Sequence, residues 1–196
     1  MEEIAKRIRN FLIDSEKLKT ELRHSYLSNG RQESVSDHVW RVSLLAILVL
    51  PYIKQKVNVE KLLKIVIIHD LVEIYAGDIP ITESSANNRI KEFKLANERA
   101  AIKRIRDYLP NELGSQIYEL WSEYELNKTV EAKLAHALDK IEAQAQHNEA
   151  GINTWVKEEY FFAYKLPNYT MDEKILAYLS DILIDEVNIM LETVEK

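Results

Sequence analysis

The chain has 196 residues, 46% of them hydrophobic and 30% charged, with 26 Lys and Arg against 32 Asp and Glu for a formal net charge of −6. Four Gly and four Pro are too few for hairpin-rich sandwiches and barrels, and the absence of Cys excludes disulfides, thiolate ligands and a Cys nucleophile. A net negative chain without a basic cluster argues against a general nucleic-acid surface, so any anionic small molecule must meet a local cation.

In chain order, Met1 to Arg7 mix charges and lead into no long apolar run, so no signal peptide is expected. With no cysteine, the expected compartment is reducing and cytoplasmic. Hydrophobic periodicity predicts helices near residues 3–22, 36–50, 59–75, 84–109, 111–126, 129–149, 154–165 and 171–194, and no strand. The apolar run Leu44 to Leu50 is too short to span a bilayer and reads as a buried core helix, so no membrane association is expected. Pro51, Gly77, Pro110, Gly151 and Pro167 supply stops, and Ser36, Asn58, Thr129 and Thr170 are candidate N-caps. Short linkers and the lack of a fixed-period repeat predict an all-α helical bundle forming a single domain over residues 1–196.

Two of the five histidines stand beside carboxylates, as Asp37-His38 and His69-Asp70. The apolar segment Ile65 to Ile68 runs directly into His69-Asp70-Leu71-Val72-Glu73, so ionisable groups end what reads as a buried helix. Burying them demands partners or a metal. Asp139 lies in a third apolar helical pattern, beside Leu138 and Lys140. Taken together, His38, His69, Asp70 and Asp139 make a nitrogen and oxygen donor set suited to a borderline divalent ion such as Mn, Fe, Co, Ni or Zn. Singly, each residue has a plainer reading, as a structural histidine or a salt-bridged carboxylate.

The stretches Glu33-Ser34-Val35-Ser36-Asp37-His38, His69 to Pro80 in the pattern H-D-x-x-E-x-x-x-G-D-x-P, and Leu138-Asp139-Lys140 are similar to the HD-domain metal-dependent phosphohydrolases, and within them to the 5′-deoxynucleotidase group. The similarity runs from about Leu18 to about Gly151. The resemblance implies one divalent metal (Mn, Co, Fe, Ni, Zn or Mg) held by His38, His69, Asp70 and Asp139. It also implies that Glu73 and Asp78 handle protons beside that metal; Pro80, which would stiffen the loop presenting Asp78, is a candidate substrate-binding residue with Arg23 and His24. An arginine before the first metal histidine contacts substrate phosphate in this family; Arg23, fifteen residues before His38, fits that position, with Asn29 and Arg31 also in register. His24 stands where the bacterial enzyme has a tryptophan against the substrate sugar, a departure that bears on deoxyribose selectivity.

The resemblance implies hydrolysis of nucleoside 5′-monophosphates, deoxy ones first, to nucleoside and phosphate by a homodimer, with neither a nucleic acid polymer nor a membrane as partner. The competing readings are an HD-type nucleoside triphosphatase or phosphodiesterase, and a non-catalytic helical binding protein that keeps its metal. Only His136 lies between the His69-Asp70 pair and Asp139, which favours a mononuclear site over the binuclear phosphodiesterase type. His136 is read as supporting or core-facing and His147 as a surface residue. The charged stretch from Arg89 to Arg106 is read as a solvated helix face that could also wall the pocket, and the aromatic cluster Tyr160, Phe161, Phe162 and Tyr164 as core or oligomer contact.

Overall fold

Helical apolar spacing organises most of the chain, and the computed structural model describes residues 1–80 and 87–194. Among these residues the α-helices are α1 (Glu2–Ser15), α2 (Val35–Val49), α3 (Val59–Ile68), α4 (Glu73–Ala76), α5 (Asn88–Tyr108), α6 (Asn111–Leu126), α7 (Val130–Ala150) and α8 (Lys174–Val194). The all-α expectation holds.

The centre of the bundle is α7, which packs against α2, α3, α6 and α8. Its Leu134, Ala135, Ala137, Leu138 and Ile141 join Val42, Ala46 and Val49 of α2 and Leu62, Ile65 and Val66 of α3 in the main core. A helix enclosed on so many sides also buries its polar residues, here Glu131, Asp139, Glu142, Gln144 and Gln146, and each needs a partner. A second core joins Phe11, Val72, Ile74, Ala101, Ile102, Ile105 and Trp121 from α1, α4, α5, α6 and the turn before α4. The chain from Val66 to Val72 crosses between the two cores, and that crossing carries the His-Asp pair.

Several predicted elements differ from those observed. A two-stranded antiparallel hairpin, β1 (Leu22–Tyr26) and β2 (Gln32–Ser34), pairs Leu22 with Ser34 and Tyr26 with Gln32. Its turn passes through Gly30 at φ 83°, so Asn29-Gly30 was the overlooked hairpin signal. The first helix accordingly stops at Ser15, followed by a 3-10 turn at Glu16–Lys19. The predicted helix 154–165 is instead a set of 3-10 turns, Ile152–Thr154, Lys157–Phe161 and Ala163–Tyr169. The N-cap of α2 is Ser34 rather than Ser36: Ser34 Oγ accepts from Asp37 N–H at 3.2 Å, and Asp37 Oδ2 accepts from Ser34 N–H at 2.9 Å. Asn58 and Thr129 cap as expected. The last helix begins at Lys174, beyond Thr170, because Met171 and Asp172 take positive φ. The helix predicted from residue 84 starts at Asn88, capped by Asn87, and residues 84–86 lie outside the described residues.

The apolar run in α2 is only half a core element. Val42, Ala46 and Val49 are buried, whereas Trp40 (64% exposed), Leu44, Ile47 and Leu48 (59%) face outward. An apolar residue at every position carries no information about which face is covered.

At Gly114 of α6 an added Cβ would lie 2.2 Å from the Arg106 carbonyl oxygen of α5. Gly114→Ala should therefore destabilise the fold by about 1–3 kcal/mol through overpacking, despite the better helix propensity of Ala. Denaturant unfolding checks this, and an unchanged or raised midpoint would contradict it.

Candidate metal centre

Successive side chains on an α-helix point about 100° apart, so His69 and Asp70 leave the backbone in different directions and meet only by curling toward each other. The structure breaks the helix there. After Ile68 the backbone tightens, with Leu71 N–H donating to Ile68 O at 3.0 Å and Glu73 N–H to Asp70 O at 3.0 Å, before α4 resumes at Glu73. The single helix expected over 59–75 is thus two helices and a turn. In that turn His69 Nε2 lies 3.2 Å from Asp70 Oδ2. From α2, His38 Nε2 lies 3.1 Å from Asp139 Oδ1 of α7 and 3.8 Å from Asp70 Oδ2. Donor atoms of His38, His69 and Asp139 all lie within 4.8 Å of one another. All four expected ligands are brought together.

Each ligand is oriented from behind. His69 Nδ1 donates to the Val66 carbonyl at 2.7 Å, and His38 Nδ1 pairs with Glu142 Oε2. With Nδ1 occupied in both rings, Nε2 is the atom presented to the site. Asp139 Oδ2 accepts from Lys140 Nζ at 2.9 Å and from the buried Tyr124 hydroxyl at 3.2 Å, which leaves Oδ1 facing His38. Tyr124 is in turn stacked on His136, with centroids 3.9 Å apart, so His136 supports a supporting residue.

The sequence reading missed Glu142, Tyr124, Glu33 and Arg41. Glu142 had a signal, since it follows Asp139 by three residues on one face of α7; Tyr124 had none short of the fold. Arg41 Nε lies 3.3 Å from Glu142 Oε1, and Arg23 Nε donates to Glu33 Oε2 at 3.2 Å. The carboxylates behind His38 are therefore balanced by arginines.

The residues fit a divalent cation. His69 Nε2 is buried without a hydrogen-bond partner, and with Nδ1–H turned to Val66 its lone pair faces Asp70 and Asp139. A buried acceptor in that state is costly unless an ion or donor takes it. Two imidazole nitrogens and two carboxylates supply the donor types that such an ion prefers.

Charge at the site is set by burial against neighbours. Burial opposes ionisation of Asp70, but His69, His38 and Arg23 overcome it and hold the carboxyl well below its usual range. Asp139 is likewise held low, with Lys140, His38 and His69 prevailing over burial. Glu73 goes the other way: burial, then Asp70 and Asp78, push it well above an ordinary carboxylate, against the pull of Arg23 and Lys94. Burial also raises Asp78, opposed by Arg23, with Asp70 adding to the rise. Glu73 is 4% exposed, and its Oε2 has no partner.

Arg23 sits on β1 with a side chain 15% exposed, its Nη1 3.4 Å from Asp70 Oδ2. It is paired inside the protein, with Glu33 as well as Asp70, and not at its surface. His24, the next residue along the strand, is turned away, its Nε2 3.4 Å from Glu159 Oε1. Asp78 and Pro80 lie in the half-buried segment after α4. His147, expected at the surface, is mostly buried: its ring meets Trp155 edge-on at 5.8 Å, and its carbonyl accepts from Trp155 Nε1.

A helical bundle in which α2, the turn after α3, and α7 aim two histidines and two aspartates at one point defines a class of metal-binding helical domains. The chain belongs to the HD-domain family, whose model matches residues 15–175. It is 36% identical over 124 residues to a Homo sapiens protein named 5′-deoxynucleotidase HDDC2, a match covering 63% of this chain and 57% of that protein. It is 37% identical over 142 residues to 5′-deoxynucleotidase hdd1 of Schizosaccharomyces pombe, covering 69% of this chain and 68% of the relative. The chain thus spans less than two thirds of the human relative's length. A solved structure described as a predicted metal-dependent phosphohydrolase from Magnetospirillum magnetotacticum MS-1 superposes with a TM-score of 0.79 at 29% identity, covering 94% of this chain and 95% of that one.

Metal loading should displace a proton from His38. In the metal-free protein burial and Arg23 push this group down, but Asp139 and Glu142 more than offset them and raise it to about 9. A raised histidine stabilises the metal-free fold fully below its unfolded pKa of about 6.5, and that contribution fades as pH rises through 9. Apparent metal affinity should therefore climb by about tenfold per pH unit across this window. Calorimetry on chelator-stripped protein checks it, and affinity independent of pH would contradict it.

Proposed function

We propose that the chain is a metal-dependent 5′-nucleotidase that hydrolyses nucleoside 5′-monophosphates, with deoxynucleotides preferred, to nucleoside and phosphate. The observation that carries this reading is the convergence of His38, His69, Asp70 and Asp139 beside a cation, Arg23, and a buried carboxyl of raised pKa, Glu73. The names of the human and fission-yeast relatives support the substrate class. A divalent ion at this site supplies Lewis-acid charge that acidifies a water and offsets phosphoryl charge. Mn, Co, Fe, Ni, Zn and Mg all remain compatible with the nitrogen and oxygen donor set.

The protein's own residues do the rest. Arg23 Nη1, now against Asp70, is placed to meet a phosphate oxygen, and its buried guanidinium stays charged because Asp70, Asp139, Glu33 and Asp78 outweigh burial. Glu73, whose pKa is raised by burial and by Asp70 and Asp78, is placed to hold a proton and pass it to the leaving 5′ oxygen, which must be protonated as the ester bond breaks. Asp78, on the adjoining loop, orients the water. Pro80 limits the travel of that loop. His24 faces Glu159, so the proposed deoxyribose preference rests on the relatives' names and not on this ring.

A homodimer is part of the proposal. The outer face of α2 presents Trp40, Leu44, Ile47 and Leu48 at helical spacing, continued by Tyr52, all exposed, and a second copy of this face would cover them. A Trp40→Glu, Leu48→Glu double variant should sediment at half the mass of the parent; an unchanged mass would remove this face from the assembly.

For the activity, phosphate release from deoxy- and ribonucleoside 5′-monophosphates, a triphosphate, a cyclic dinucleotide and a 3′-monophosphate should be measured with each metal added in turn. Only 5′-monophosphates should be cleaved. Asp70→Ala should lose metal and turnover together, whereas Glu73→Gln should keep its metal and lose about 100-fold or more in kcat. Cleavage of the triphosphate or the diester instead would overturn the substrate assignment, and unchanged kcat in Glu73→Gln would remove that residue from the mechanism.

A further inference from the structure

Asp78 is carried by a segment with no ladder of its own. The chain leaves α4 through Gly77 at φ 75° and runs through Asp78, Ile79 and Pro80 without helix or strand. Backbone groups in such a segment need partners from elsewhere. Two consecutive residues find them in charged side chains from distant parts of the chain: Asp78 N–H donates to Glu21 Oε1 at 3.2 Å, and Ile79 C=O accepts from Lys94 Nζ of α5 at 3.0 Å.

Both grips are built rather than incidental. Glu21 is held by Lys17, whose Nζ lies 3.2 Å from Oε2, so Oε1 is left for Asp78. The close approach needs Gly77, because an added Cβ there would lie 3.1 Å from the same Oε1. The Glu21 carbonyl also accepts from Val35 N–H at 3.0 Å, which ties this grip to the first turn of α2, the helix that carries His38. On the other side, Lys94 turns inward from a helix whose charges read as a solvated face, with Glu98 one turn on and 3.8 Å away. Ordering a lysine onto a neutral carbonyl costs side-chain entropy, and charge-assisted donation to a half-buried acceptor offsets it. The Lys94 charge also opposes the rise of both Glu73 and Asp78.

We propose that Glu21 and Lys94 are positioning residues that clamp the Asp78 segment from its two sides, so that turnover depends on the clamp while metal binding does not. The inference rests on the nucleotidase reading above. Reacting groups must be held to a fraction of an ångström, and a displacement of about 1 Å costs on the order of 100-fold in rate. Neither clamp residue touches the expected metal ligands, so their loss spares the metal; Lys94 also acts on Glu73 through its charge, which Lys94→Arg preserves.

The test compares Glu21→Ala and Lys94→Ala with the conservative Glu21→Gln and Lys94→Arg, which keep an acceptor and a donor in place. On a 5′-monophosphate that the parent cleaves, the alanine variants should lose about 10- to 100-fold in kcat with KM within about twofold and bound metal unchanged. Gln and Arg should restore kcat to within about fivefold of the parent. Hydrogen exchange adds a readout independent of catalysis: the Asp78 amide should exchange faster in Glu21→Ala than in Glu21→Gln. Alanine variants within twofold of the parent in kcat would overturn the proposal. So would equal losses in the alanine and conservative variants, or loss of metal from the alanine variants. If the parent cleaves no 5′-monophosphate the nucleotidase reading fails, and the exchange comparison still decides whether the segment is clamped.

Discussion

The site depends on α3 ending at Ile68. The four residues between α3 and α4 hold His69 and Asp70 beside His38 and Asp139 and leave Glu73 three residues beyond, at the start of the next helix. The break is stable because each end is anchored in a different core: Ile65 and Val66 in the main one, Val72 and Ile74 in the second. His69 spans the junction by donating from Nδ1 to the carbonyl of Val66.

Placing so many charges in a bundle interior would be ruinous if they were unpaired. Most are matched by a nearby group. His38 stands between Asp139 and Glu142, Arg41 covers Glu142, Arg23 lies between Glu33 and Asp70, and Lys140 with Tyr124 holds Asp139. The neighbours shift these carboxyls in opposite directions. Asp70 and Asp139, beside cations, are held well below the usual carboxylate range. Glu73, almost fully buried and near other carboxylates, is pushed well above it.

The helical class and the four ligands were legible in the sequence for different reasons. Apolar spacing at 3.6 residues reports helices directly, and Asn58 and Thr129 cap where expected. The ligands were legible through a motif, which records the outcome of the helix break without revealing it; periodicity alone ran the helix from 59 to 75. The hairpin was hidden because five residues of β1 and three of β2 are too short to establish a period of two, although Asn29-Gly30 marked the turn. Glu142, Arg41 and Tyr124 act on the expected ligands from behind, with partners up to about a hundred residues away in sequence; Glu142 was marked only by its spacing from Asp139, and the packing of α2, α6 and α7 is what identifies Arg41 and Tyr124. His147 and the outer face of α2 were misjudged together, since composition says how apolar an element is but not which neighbours cover it.

The most direct measurement is anomalous diffraction from crystals of metal-stripped protein reloaded with manganese or cobalt. The account predicts one strong peak in the space bounded by His38 Nε2, His69 Nε2 and the Asp70 and Asp139 carboxylates, with Glu142 still on His38 Nδ1. A principal peak elsewhere, among Glu33 and Glu142 for example, or a peak reached by only one of the two histidines, would contradict it.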